Sequence, residues 1–135
     1  MKENSVTEEI RRLFDCKNFA FLATLMENGS PQVTPVWTDV DENAILINTA
    51  EGRIKHKNVK RDPRVAISVV NHANPYEMVT IRGKVVEETT EGADEHIDKM
   101  AKKYLGMDKY PFKMPGEQRI LLRIEPDNVF HQKPR

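Results

Sequence analysis

The sequence predicts a mainly β fold with α additions: an antiparallel barrel with flanking helices. Three observations carry this prediction. About six or seven short runs of strand-forming residues are separated by turn signals. The first runs follow one another with hairpin spacing, and the later ones are interrupted by helical segments without the regular strand–helix alternation that a parallel doubly wound sheet requires. The length of 135 residues fits one domain, residues 1–135, because single cores commonly reach about 100–150 residues. A hydrophobic share of 39% supplies a core, and a charged share of 31% supplies a well-solvated exterior.

The elements follow in order. Residues 5–15 read as an amphipathic helix, with Ser5 and Glu8 in a capping-box pattern and Ile10, Leu13 and Phe14 as the core-facing stripe. Residues 19–26 are an apolar strand-forming run closed by Glu27-Asn28-Gly29-Ser30. Asn-Gly between two such runs signals a hairpin, because both residues accept positive φ. A return strand over 32–39, a turn at 41–43 and a strand over 44–49 complete an expected three-stranded meander. Pro35, inside the second strand, cannot donate to a ladder and marks an edge, a bulge or an opening in the sheet. At an opening a flat ligand could reach backbone groups; an edge strand with no ligand reads equally well.

Residues 52–61 form a short helix, ended by Asp62-Pro63 because the residue before proline is pushed out of helical geometry. Strands follow over 64–70 and 78–87, with Gly83 as a bulge or kink. A helix over 91–105 carries the stripe Ile97, Met100, Ala101 and Tyr104 and stops at Gly106. A loop over 107–117, rich in Pro, Met and Lys, leads to strands over 119–125 and 128–131.

Lys and Arg number 21 against 21 Asp and Glu, a balance that argues against nucleic-acid binding through bulk charge. No apolar run reaches the roughly 18–20 residues of a membrane span, and the opening Met-Lys-Glu-Asn is not a signal sequence, so a cytoplasmic protein is expected. Cys16 stands alone, which excludes an intrachain disulfide or a thiolate cluster; it reads as a buried or half-buried residue at a helix end. His56, His72, His96 and His131 show no metal-ligand spacing.

The zero net charge is a cancellation between two blocks. Residues 51–64 carry six bases (Arg53, Lys55, Lys57, Lys60, Arg61, Arg64), and residues 86–98 carry six acids. The acids read as an exposed helix start. The basic block opens a helix, whose first N–H groups and partial positive charge suit a phosphate. Thr49 can donate, Arg53 can grip two oxygens, and Lys55 and Lys57 supply point charges. The two lysines diverge by about 200° on a helix, so both cannot face one phosphate equally. A solvated basic face is the alternative reading. Trp37 reads as core, or as the border of a flat cofactor.

The order and spacing of several motifs resemble one family. They are Ala23-Thr24-Leu25, the run Asn28–Trp37, the run Asn48–Val59, Arg61-Asp62-Pro63-Arg64-Val65-Ala66, Ile81-Arg82-Gly83-Lys84-Val85 and Lys103-Tyr104-Leu105-Gly106. Over about residues 8–132 the chain resembles the pyridoxamine 5′-phosphate oxidase-like proteins with the FMN-binding split-barrel fold, and within them the branch labelled deazaflavin (coenzyme F420) dependent. The resemblance implies a homodimer with a cofactor site at the interface. It places the cofactor ring along Val33, Thr34, Pro35, Val36 and Trp37 and the phosphate end at Asn48, Thr49, Arg53, Lys55 and Lys57, with Asn58 ordering the turn. It implies an oxidoreductase moving a hydride between the bound deazaflavin F420 and a small organic substrate, with FMN as the alternative cofactor, and it names no catalytic side chain. The chain lacks the longer C-terminal segment of the oxidases proper, so pyridoxamine phosphate oxidation is not expected. A non-catalytic binder of flavin, deazaflavin or haem is a second class. An oligonucleotide-binding barrel is a third, disfavoured because residues 51–64 hold no aromatic ring.

Overall fold

The computed structural model describes residues 5–133. In chain order the elements are α1 (Glu8–Asp15), β1 (Ala20–Leu25), β2 (Pro31–Val36), β3 (Asp39–Asp41), β4 (Ala44–Ala50), α2 (Ile54–Arg61), β5 (Arg64–Val70), β6 (Met78–Thr89), α3 (Ala93–Leu105) and β7 (Arg119–Gln132). The strands form one antiparallel sheet in the order β2-β1-β5-β6-β7-β4-β3. β2 and β3 are its opposite edges, yet only Trp37 and Thr38 separate them in the chain. Three peptide units span at most about 11 Å, so the sheet must curl until its edges nearly meet. The result is a split barrel.

Alternation along the strands fills the interior. Leu22, Ile67, Ile81, Leu122, Ile124, Ile45 and Ile47 point inward, and Ile10, Leu13 and Phe14 of α1 pack against them. The opposite face carries the cross-strand row Pro35–Phe21–Ser68–Thr80–Phe130 over five strands. α3 lays Ile97, Met100 and Tyr104 together, with Trp37 and Tyr110 packed against them.

Several expectations are corrected. The meander is not formed: β4 pairs with β3 and β7, never with β2, because the stretch read as one strand over 32–39 breaks at Trp37 and crosses from one sheet edge to the other. Pro35 lies on an edge strand at the gap between the two sheet edges, so the edge and opening readings stand, and the bulge reading falls because the β1–β2 register is unbroken. The capping box at Ser5 gives way to Thr7, whose Oγ1 accepts from the Ile10 N–H at 3.3 Å; this start puts Glu8 and Glu9 in the first turn, where the helix dipole favours acids. In the first hairpin only Gly29 takes positive φ (86°), since the loop closes by Met26 N–H to Ser30 C=O and needs one left-handed residue instead of two. Cys16 is exposed, as the C-cap of α1.

The two last strands are one, β7, in which Asp127 is an extra residue between the pairs Arg82↔Asn128 and Gly83↔Pro126. This bulge accommodates Pro126, which has no N–H to give a ladder. It also presses the Glu125 carbonyl against Gly83, where a Cβ would collide with the carbonyl oxygen. Gly83→Ala is therefore expected to destabilise the fold by about 2–3 kcal/mol, read as a lower urea midpoint at unchanged slope.

Candidate functional site

A cleft of about 220 Å³ opens beside the crossing between the sheet edges. The end of β2 contributes Pro35 and Val36, followed by Trp37, and β4 contributes Asn48 and Thr49. The start of α2 adds Arg53 and Lys55, and β7 adds Arg119. Phe19, Ile97 and two aromatics of the loop between α3 and β7, Tyr110 and Phe112, complete the wall.

The rings are ordered. Trp37 stacks on Tyr104 at 5.2 Å between centroids with an interplanar angle of 5°. Tyr110 meets Trp37 edge-on at 6.1 Å, and Phe112 meets Tyr110 at 5.8 Å. The Arg119 guanidinium lies over the Tyr110 ring, 5.0 Å from its centroid. Such a wall suits a planar ligand, because offset and edge contacts each add about 0.5–1.5 kcal/mol beyond burial.

The opposite end is cationic. The Arg119 side chain is 2% exposed, donates from Nε to Asn48 Oδ1 at 2.9 Å and from Nη1 to Glu117 Oε1 at 3.1 Å. Arg53 donates to the same Glu117 oxygen at 2.9 Å. Lys55 stands half-buried beside both arginines with no hydrogen-bond or ion-pair partner among the described residues. Burial, then the charges of Arg53 and Arg119, push its ammonium below the ordinary lysine range. The buried Thr49 Oγ1 likewise has no partner. Two of these three cations, Arg53 and Arg119, thus share one carboxylate.

Local structure explains this arrangement. Gly52, at φ 89°, turns the chain out of β4, and its N–H donates to Nδ1 of buried His56 at 3.0 Å. Arg53 is the N-cap of α2 without a side-chain cap, and the first turn contains no acid. Cations at the positive end of a helix are disfavoured by about 0.3–1 kcal/mol each, a deficit that an anion would reverse.

A polar chain supports the cleft from behind. Asn48 Nδ2 donates to the Ala93 carbonyl at 2.8 Å while its Oδ1 accepts from Arg119, which fixes the amide orientation. Nδ2 also lies 3.2 Å from His96 Nδ1, so that nitrogen accepts and Nε2–H donates to Asp39 Oδ2 at 3.1 Å. Lys99 donates to the same oxygen at 3.1 Å. Burial alone would raise the Asp39 carboxyl; hydrogen bonds from His96, the Val40 N–H and Lys99 outweigh it and hold Asp39 far below the usual carboxylate range. A depressed carboxyl stabilises the fold above its unfolded value, near pH 4, and loses that stabilisation as pH falls toward the folded value. Asp39→Asn is expected to lose about 2 kcal/mol less than the native chain between pH 5 and pH 2, measured by urea unfolding at each pH.

Of the residues expected at a site, Pro35, Val36, Trp37, Asn48, Thr49, Arg53 and Lys55 line this cleft. Val33 lies outside it, exposed on the outer face, and Thr34 holds a buried hydroxyl with no partner among the described residues. Lys57 is exposed on another side of α2. Asn58 is buried in the fold, donating to Thr24 Oγ1 at 2.9 Å and accepting from Arg61 at 2.7 Å. α2 begins at Ile54, two residues beyond the expected start. Sequence reading missed Phe19, Ile97, Tyr110, Phe112, Glu117 and Arg119. Arg119 alone left a usable signal: an arginine opening a strand whose other residues are apolar.

A split antiparallel barrel with an aromatic-walled, cation-ended cleft defines a class of small barrels equipped for flat, anionic ligands. The description of the family model that matches residues 6–133 is pyridoxamine 5′-phosphate oxidase. The chain belongs to that family. Among solved structures, an F420 reductase is similar over 96% of this chain and 98% of its own, at 24% identity and a TM-score of 0.78. A conserved hypothetical protein from Mycobacterium tuberculosis is similar over 96% and 86%, at 21% identity and a TM-score of 0.72. General stress protein 26 from Bacillus anthracis is similar over 95% and 94%, at 16% identity and a TM-score of 0.70.

Proposed function

We propose that the protein is an oxidoreductase that binds the deazaflavin coenzyme F420 in this cleft and uses it for hydride transfer to a small organic substrate. The observation that carries this reading is the pairing of the aromatic wall with an unsatisfied anion site: Lys55 without a partner, the Thr49 hydroxyl without a partner, and Arg53 and Arg119 sharing one carboxylate. The likeness to an F420 reductase favours the deazaflavin. FMN is the second reading, favoured by the match to the oxidase family model. Either group supplies the redox chemistry when bound. The chain's own residues do the rest: Arg53, Lys55, Arg119 and Thr49 hold the anionic end, Trp37 and Tyr110 border the ring, and Pro35 leaves the edge strand without a donor there.

The reading includes a homodimer. A cleft of about 220 Å³ is smaller than the roughly 300–1,000 Å³ of sites that enclose a ligand of this size. Phe19, on the cleft wall, is 52% exposed, and the outer sheet face carries Val33 at 61% and Phe130 at 56%, apolar surface that a second copy would cover. Val33 then joins the site from the outer face. The test is a titration with F420 and with FMN, followed by ligand absorbance and Trp37 fluorescence, with sedimentation of the same samples. Micromolar F420 binding by a dimer supports the reading; binding of neither ligand sinks it, and a stable monomer removes the interface site.

A further inference from the structure

Glu117 enters that reading only as the carboxylate that the two arginines share, yet it is well enclosed, its side chain 6% exposed. Its Oε1 accepts from Arg53 at 2.9 Å and from Arg119 at 3.1 Å, the arrangement in which two guanidiniums would grip a phosphate oxygen. Its Oε2 accepts from the Met114 N–H at 3.3 Å, which ties down the loop that carries Tyr110 and Phe112. A carboxylate and a phosphate cannot both hold the two arginines fully. Lys55 and Thr49, with no protein partner among the described residues, offer an incoming anion two further contacts.

We propose that Glu117 is the internal counter-anion of the cleft, which occupies the Arg53–Arg119 pair until a ligand's phosphate displaces it and so sets how much negative charge the site accepts. This rests on the anion-binding half of the functional reading. One carboxylate against three cations leaves the cleft two positive charges in excess, which a fully ionised phosphate monoester balances and a monoanionic phosphodiester balances only by half. Removing the carboxylate should therefore strengthen binding of the more highly charged ligand most.

The test compares the native protein with Glu117→Gln by Trp37 fluorescence at constant ionic strength, using inorganic pyrophosphate, FMN and riboflavin, which lacks the phosphate. Glu117→Gln is expected to bind pyrophosphate and FMN about tenfold more tightly and riboflavin unchanged. In the native protein, saturating pyrophosphate should also speed hydrogen exchange at the Met114 amide, a readout that needs no variant. Pyrophosphate affinity that is unchanged, reduced or absent in both proteins overturns the proposal, as does unaltered Met114 exchange. The cofactor reading fails separately: a tenfold gain for pyrophosphate with no binding of FMN or F420 leaves the counter-anion in place and removes the cofactor.

Discussion

Arg119→Ala is expected to cost about 3–5 kcal/mol of stability, the largest loss of any single substitution at the cleft. The guanidinium is 2% exposed and serves three groups at once. Without it, Glu117 keeps Arg53 as its one cation, Asn48 Oδ1 loses its donor, and Tyr110 loses the cation on its face. An enclosed carboxylate stripped of a partner is costly because its desolvation is no longer offset. Arg119→Lys separates charge from geometry: it keeps the cation and loses the fork, so about half of the stability should return. Urea unfolding of the two variants checks this. Equal losses would mean that charge contributes nothing, and no loss in either would remove Arg119 from the support of the cleft.

Lys55→Ala is expected to act in the opposite sense on stability and binding. An unpaired, half-buried ammonium beside two arginines is a liability in the free protein, so its removal should leave stability unchanged or raise it by up to about 1 kcal/mol. The same change removes a charge-assisted contact worth about 1.5–3 kcal/mol to a bound phosphate, a loss of about 10–100-fold in affinity for F420 or FMN. Lys57→Ala, which removes an exposed charge of the same helix, should change affinity less than twofold. Thermal melts and ligand titrations on the three proteins decide the matter. Equal affinity of Lys55→Ala and the native chain would reduce the basic block to a solvated face.

The parts of the fold that sequence made legible are those whose signal is local. The 3/4 stripe Ile97, Met100, Ala101 and Tyr104 marks α3, and all four side chains are buried. β5 was bounded to the residue by Pro63 and by the polar run that starts at Asn71. The crossing between β2 and β3 was not legible, because alternation runs on past Val36 and nothing local distinguishes a strand that continues from one that changes edge. Arg119 was hidden for a related reason. It reaches Asn48 only because β7 pairs with β4, Ala50 opposite Arg119, across about half the chain. The charge blocks were legible as blocks, but their partners were not: Arg53 turns to Glu117 in the loop, and the acidic block meets the basic one through His56 and Glu88 at 3.3 Å.

The two-residue crossing also limits how the cleft can be reached. Thr38 is fully buried; its N–H donates to Tyr104 Oη at 3.1 Å, and its carbonyl accepts from Lys103 Nζ at 2.7 Å. Tyr104 Oη donates onward to the Asn18 carbonyl at 2.8 Å, and Lys103 also bonds the Phe14 carbonyl. The crossing is therefore a short tether fastened by α3 to the ends of α1 and β1. Such a tether works as a fixed gauge: the barrel cannot gape to admit a thicker guest without breaking four buried or half-buried hydrogen bonds. On the proposed reading, a ring held beside Trp37 has to fit the width that this tether sets.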